Sequence, residues 1–188
     1  MRIIAGKYRS RVLKSVEGQA TRPTLDKVKE ATFARLMPMI EGASVLDLFA
    51  GTGAIALEAL SRGAQHAVLV DGSKAAITVI NANVDALKAN DQCTILRMEA
   101  LDALRYLSNH GFQFDLVYLD PPYGKVETGP IMERLVAMNL LLPNAVVIHE
   151  TVAKTDPVLC ESLTFTQMYT YGTVCLHPYR RTPAAKPY

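Results

Sequence analysis

The chain has 188 residues, 49% of them hydrophobic and 20% charged, which is the size and the core material of one globular domain. No apolar run reaches eighteen residues, and Met1-Arg2-Ile3-Ile4-Ala5-Gly6-Lys7 lacks the apolar core and cleavage site of a signal peptide, so a soluble, cytoplasmic protein is expected. Three dispersed cysteines (Cys93, Cys160, Cys175) with no C-x-x-C pair argue against a disulfide framework or a zinc site, and no metal is expected.

The net charge of +2 conceals an uneven distribution. Residues 1–36 carry +6 and residues 162–188 carry +3, which leaves −7 for the middle. Basic ends around an acidic centre suit a polyanionic partner held at the ends, because Lys and Arg bind phosphates through charge and counterion release.

Before Gly42, Ile3-Ile4-Ala5 and Val12-Leu13 around Gly6-Lys7-Tyr8-Arg9-Ser10 read as a small basic hairpin. Thr24 to Leu36 reads as a helix with Asp26 in its first turn. Residues 1–41 are therefore expected to form an extension packed on a main domain, 42–188. Within that domain, short β-branched runs alternate with helical patterns. Strands are predicted at Ser44 to Phe49, Ala67 to Val70, Thr94 to Met98, Leu116 to Leu119 and Ala145 to Ile148. Helices are predicted from Gly53 to Arg62, Lys74 to Ala89, Asp102 to Ser108, and Pro130 to Leu142, the last ended by Pro143. Leu163 to Tyr169 and Thr173 to His177 flank Tyr171-Gly172 as a closing antiparallel pair. The alternation predicts an α/β fold, a mostly parallel sheet with helices on both faces.

Two loops carry chemistry. In Asp47-Leu48-Phe49-Ala50-Gly51-Thr52-Gly53-Ala54 a strand runs through two glycines into a helix, so backbone can approach a ligand that faces helix N–H groups. The glycines alone also fit a dinucleotide fingerprint, which leaves a nicotinamide or flavin site open. Asp47 tips the reading toward S-adenosylmethionine, because a carboxylate there is awkward for a pyrophosphate and suits an ammonium or sulfonium charge; its bland role is capping a turn. Asp71, ending the second strand, can accept ribose hydroxyls of any adenosine cofactor. Asp102 could accept an adenine amine with the Ala103 N–H on a ring nitrogen, or simply cap the next helix.

The second loop is Asp120-Pro121-Pro122-Tyr123. The lone pair of an exocyclic amine is delocalised into its base, so methylating it requires the nitrogen to be held in line with a methyl–sulfonium bond. The Asp120 carboxylate and the Pro121 carbonyl supply two acceptors for the two amine protons, and Pro122 stiffens the loop that aims them. Tyr123 offers a face on which the base can stack.

Motif I at Asp47 to Gly53 followed by Asp120-Pro121-Pro122-Tyr123 resembles the class I, Rossmann-like S-adenosylmethionine-dependent methyltransferases that modify amino nitrogens. With Arg2-Ile3-Ile4-Ala5-Gly6, Arg22-Pro23-Thr24, Asp26-Lys27-Val28-Lys29-Glu30 and Leu57-Glu58-Ala59-Leu60-Ser61-Arg62-Gly63, the chain resembles more closely the RsmD family, the bacterial 16S rRNA guanine-N2 methyltransferases. The resemblance implies a seven-stranded sheet and S-adenosyl-L-methionine held by Asp47, Phe49, Ala50, Gly51, Gly53, Asp71, Asp102, Ala103, Asp120 and Thr24. It implies catalysis by Asp120, Pro121, Pro122 and Tyr123, with RNA gripped by Arg2, Lys7, Arg9, Arg11, Arg22 and Tyr123. Arg22, Thr24 and Glu30 would close over cofactor and target. The substrate would be one guanine of small-subunit rRNA in the 30S particle or an assembly intermediate, and the enzyme a monomer. Asp71 stands where many relatives have Glu, and Glu99-Ala100 competes with Asp102-Ala103 for the adenine.

An adenine-N6 methyltransferase poses the same chemical problem to the same loop, and a nicotinamide oxidoreductase would leave Asp120 to Tyr123 without a task. A catalytically idle RNA-binding module is the non-enzyme alternative. A C5-pyrimidine methyltransferase needs a nucleophilic cysteine, and no Pro-Cys loop is present. His66, His110, His149 and His177 show no partner pattern. Tyr169, Tyr171 and Tyr179 with Arg180 and Arg181 read either as an aromatic edge packed on the core or as an RNA contact.

Overall fold

The structure is a computed structural model that describes residues 1–16, 23–122, 124 and 126–181, without the side chains of 23–25. Arg22 and Tyr123 lie outside the described residues, as does the side chain of Thr24.

Helix α1 (Pro23–Ile40) begins with a proline, where no intrahelical N–H is needed, and continues past the predicted end at Leu36 with Pro38 inside its last turn. Then β1 (Ser44–Asp47), α2 (Ala54–Ser61), β2 (His66–Val70), α3 (Lys74–Leu87), β3 (Cys93–Leu96), α4 (Ala100–Asn109), β4 (Phe114–Leu119), α5 (Thr128–Ala137) and β5 (Leu141–Val152) alternate as the periodicity predicts. Strands β6 (Leu163–Phe165), β7 (Tyr169–Tyr171) and β8 (Val174–Arg181) close the sheet. The order is β3-β2-β1-β4-β5-β8-β6, parallel from β3 to β5 and antiparallel beyond. This is the Rossmann-like arrangement of class I methyltransferases, with a β5/β8 antiparallel pair at its end.

Two further departures from the sequence reading involve prolines. The strand expected over Leu163 to Tyr169 is split into β6 and β7, both on β8, which gives eight strands instead of seven. Phe165 pairs with Tyr179 and Tyr169 with Leu176, four steps against three, so the break is a one-residue bulge. Pro178 faces it: the Pro178 carbonyl accepts the Thr166 N–H (3.0 Å), and where a second ladder bond would form there is no N–H to donate. Pro143 does not end α5. The helix stops at Ala137, Asn139 turns the chain with φ 54°, and Pro143 lies inside β5, where the register on β4 jumps from Phe114↔Leu141 to Leu116↔Val146.

Alternating strand residues feed two cores. Val45, Leu116, Tyr118, Val146 and Ile148 pack under α1, α2 and α3, while Leu46, Val117, Leu119, Val147 and Tyr179 pack under α4 and α5. Ile3 and Leu13 join the first core, and the N-terminal hairpin is held by an Arg2↔Val12 bridge with Ile3 N–H donating to the Arg11 carbonyl (2.9 Å). Among the described residues no helix is long and apolar enough to cross a membrane.

Candidate active site

The same alternation sends Asp47, Tyr118, Asp120 and Glu150 to the face under α1 and α2, at the carboxyl ends of three neighbouring strands. All four line one cavity of about 200 Å³ with Met1, Lys29 and the glycine loop. A second cavity of about 500 Å³ shares Phe49, Gly51 and Asp120 with the first and extends past Asp71, Gly72, Glu99, Ala100, Pro121 and Pro122. The two form one cleft around the loop, at the strand ends where open α/β sheets bind ligands.

The glycine loop is shaped as its sequence demands. Gly51 has φ 55° and a Cβ built on it would meet nothing, so the backbone there borders open space. Gly53 has φ 77° and a Cβ would stand 2.8 Å from the Leu69 side chain, so it also permits helix α2 to approach β2. Asp71 braces this loop: one oxygen accepts the Gly51 N–H (2.9 Å) and the other the Ser73 N–H (2.8 Å). Each oxygen keeps one lone pair for a ligand hydroxyl.

Asp47 is 2% exposed and accepts one long hydrogen bond, from the Ala56 N–H at 3.3 Å. Burial, with the like charges of Asp71 and Glu150, pushes its carboxyl up to about 7 against that one opposing hydrogen bond. A buried carboxylate so poorly compensated fits a cationic ligand group. Asp120 opens onto the cleft yet is set among protein atoms; loss of hydration first, then Glu150 and Asp47, hold it well above the ordinary carboxylate range. Glu150, on β5, accepts a short hydrogen bond from the Tyr118 hydroxyl. Loss of hydration raises its carboxyl and the Tyr118 hydroxyl opposes the rise.

The position of α4 separates the two candidate acids that the sequence offered for an adenine, Asp102 and Glu99. This helix begins at Ala100, two residues before the predicted start, so the Ala103 N–H is consumed by the Glu99 carbonyl (2.9 Å) and the Ala103 side chain is buried. Asp102 is turned to solvent, 64% exposed, and pairs with Arg105 at 2.8 Å. Glu99 and Ala100 line the cleft instead; Glu99 is the helix N-cap and makes no side-chain capping bond, and the Ala100 N–H belongs to the unpaired first turn.

The basic residues are not brought to one place. Arg2 lies near the cleft, 3.7 Å from Asp26. Lys7 donates to Gln92, which precedes β3, and so stands at the opposite end of the sheet. Arg9 and Arg11 are exposed. Tyr169 and Tyr171 hold α1 against the sheet, with Arg35 3.8 Å over the Tyr169 ring and donating to the Tyr171 hydroxyl (2.8 Å), and Tyr179 is buried. His149 and His177 stack edge to face in the second core, away from the cleft. The sequence reading missed Tyr118, Glu150 and Lys29. It also left Glu58 without a role: this fully buried carboxylate accepts from the Ile4 N–H (2.8 Å), the Ala5 N–H (3.1 Å) and Arg62 (2.8 Å), and pairs with Lys29 (3.2 Å).

Residues 1–180 match the family model described as Conserved hypothetical protein 95. The chain is 34% identical to ribosomal RNA small subunit methyltransferase D of Haemophilus influenzae, over 96% of this chain and 93% of that protein. The solved structure of the Escherichia coli protein yhhF superposes with a TM-score of 0.83 at 28% identity, covering 96% of this chain and 97% of the other. A conserved hypothetical protein of Streptococcus pyogenes gives 0.74 at 37% identity, over 82% of this chain and 95% of that one. Because these matches run from the N-terminal hairpin into the last strand, the chain belongs to the family of ribosomal RNA small subunit methyltransferase D, the RsmD family.

Proposed function

We propose that this protein transfers a methyl group from S-adenosylmethionine to the exocyclic N2 of one guanine in small-subunit rRNA, within the 30S particle or an assembly intermediate. The observation that carries the reading is the group of under-compensated carboxylates, Asp47, Asp120 and Glu150, in one cavity beside a glycine loop open at Gly51. A pyrophosphate would meet repulsion there, whereas a cation is attracted, which favours a sulfonium cofactor over a nicotinamide dinucleotide.

When bound, the cofactor supplies an electrophilic methyl carbon. Asp47 takes its ammonium group, Asp71 its ribose hydroxyls, and Glu99 with the Ala100 N–H its adenine. Asp120 and the Pro121 carbonyl accept the two protons of the target amine and turn its lone pair toward the methyl group. With the cofactor bound, Asp120 would stabilise the positive charge that grows on the target nitrogen and would accept the proton that this nitrogen sheds. Tyr123 is assigned to stacking on the base. Residues 1–41 act as the RNA-facing extension, Arg2, Arg9, Arg11 and Arg22 contributing phosphate contacts.

Labelled S-adenosylmethionine offered with 30S particles, naked 16S rRNA or duplex DNA tests this, with the product mapped by mass spectrometry. N2-methylguanine in rRNA is expected, and Asp120→Ala should remove at least about 10³-fold of the rate while cofactor binding persists. Label confined to DNA or to an adenine, or binding of NAD in place of S-adenosylmethionine, overturns the proposal.

A further inference from the structure

Glu150 has no task in the reaction just described, yet it is 93% buried at the end of a central strand and lines the same cavity as Asp120. Its position in the sheet indicates which ligand it serves. Asp47 pairs with Tyr118, and Leu119 pairs with His149, so the next residues, Asp120 and Glu150, stand side by side one strand spacing apart, about 4.8 Å. Tyr118 in turn pairs with Ile148, so Asp120 and Glu150 stand two residues nearer the carboxyl ends than Asp47, on the neighbouring strands β4 and β5. The glycine loop and Asp71, which hold the cofactor in this reading, lie at β1 and β2. Glu150 lies on β5, two strands from the β1 loop, so the cofactor's ammonium is served by Asp47. What reaches Glu150 is the edge of the incoming base.

The side chain is oriented for that task. The Tyr118 hydroxyl donates to Oε2, and among the described residues no group donates to Oε1. A guanine whose N2 is held by Asp120 presents its N1–H beside that amine. Adenine presents a bare N1 lone pair in the equivalent place, which a carboxylate oxygen would repel.

We propose that Glu150 is the residue that selects guanine: its Oε1 accepts the N1–H of the target base while Asp120 and the Pro121 carbonyl hold the N2 amine. Tyr118 is its positioning residue, fixing the carboxylate so that the free oxygen faces the base. The inference rests on the guanine-N2 reading above and adds to it the origin of base choice.

The test uses full-length protein and 30S particles reconstituted with ligated 16S rRNA that carries, at the mapped site, either guanine or 2-aminopurine. The analogue keeps the amine but lacks the N1 proton. Wild-type enzyme is expected to prefer guanine by about 10- to 100-fold in kcat/KM, the worth of one hydrogen bond to a charged group. In Glu150→Ala that preference should fall to within about twofold, through loss on guanine with little change on 2-aminopurine. Glu150→Gln, which keeps a carbonyl acceptor, should recover part of it. Tyr118→Phe/Glu150→Ala, which leaves no stranded hydroxyl, should behave as Glu150→Ala does if that variant folds poorly. Equal losses on both bases, or an unchanged preference, overturn the assignment of Glu150. Wild-type label anywhere other than guanine N2 overturns the reading beneath it, whatever the variants do.

Discussion

Two groups of buried carboxylates lie on the same face of the sheet, and they are treated in opposite ways. Glu58, on α2, is fully buried and accepts from two backbone N–H groups and two cations, so each of its oxygens has partners from the protein itself. Asp47 has one long backbone hydrogen bond and Glu150 has one tyrosine hydroxyl; both are raised by loss of hydration, as is Asp120. A saturated carboxylate fastens structure: Glu58 ties residues 4–5, Lys29 of α1 and Arg62 together where the N-terminal segment meets α2. An unsaturated one keeps bonding capacity for a ligand, at a cost to the free protein. Compensation therefore separates scaffold from site more sharply than burial does.

The largest effect should come from breaking the saturated group. Glu58→Ala strands the Lys29 ammonium, already lowered from its ordinary value chiefly by loss of hydration, and two backbone donors. A loss of about 3–5 kcal/mol in denaturant unfolding is expected, with a smaller loss for Glu58→Gln, which keeps acceptor oxygen. Near-native stability of the alanine variant would show that the junction is not held by this charge.

The unsaturated group should respond with the opposite sign. Asp47 rises from an ordinary 3.8 to about 7 on folding, so between those values the native state binds more protons than the unfolded chain. Its contribution to stability is unfavourable, growing as pH rises through that window and complete above about pH 7. In the cofactor-free protein Asp47→Asn should therefore melt higher than wild type at pH 8 and no differently near pH 3. The same change should weaken S-adenosylmethionine by about 10- to 100-fold at pH 8, as measured by calorimetry. In the wild type, cofactor affinity should fall by up to about tenfold per unit as pH drops below 7. An Asn variant less stable than wild type at pH 8 would mean that Asp47 is compensated after all.

What could be read from the chain alone follows the range over which each feature is encoded. The strand-loop-helix at Asp47 to Ala54 and the turn at Asp120-Pro121-Pro122 are written in consecutive residues, and both loops stand at the carboxyl edge of the sheet, at β1 and β4. Tyr118 and Glu150 are 32 residues apart and meet only because β4 and β5 are neighbours in a particular register, for which sequence carries no local sign. The Glu58 cluster joins residues more than 50 positions apart and was invisible for the same reason. The split of β6 from β7 depends on Pro178, which reads as an ordinary strand residue until the partner across from it is known.

The smallest contrast concerns the start of α4 and separates two neighbouring acids by their compensation. A periodicity reading puts that start at Asp102, whereas the helix begins at Ala100, and two residues on a helix amount to more than half a turn. That rotation carries Asp102 out to solvent and into a pair with Arg105, and leaves Glu99 at the cleft with no side-chain capping bond. Exposed pairs of this kind contribute little, so Asp102→Ala should change S-adenosylmethionine affinity by less than about twofold. Glu99→Ala should weaken it by about 5- to 10-fold through loss of one partly hydrated hydrogen bond. Calorimetric titration of the two variants side by side decides the point. If Asp102→Ala costs more affinity than Glu99→Ala, the compensated acid is the ligand-binding one, and the rule drawn from Glu58 and Asp47 does not extend to the rim of the cleft.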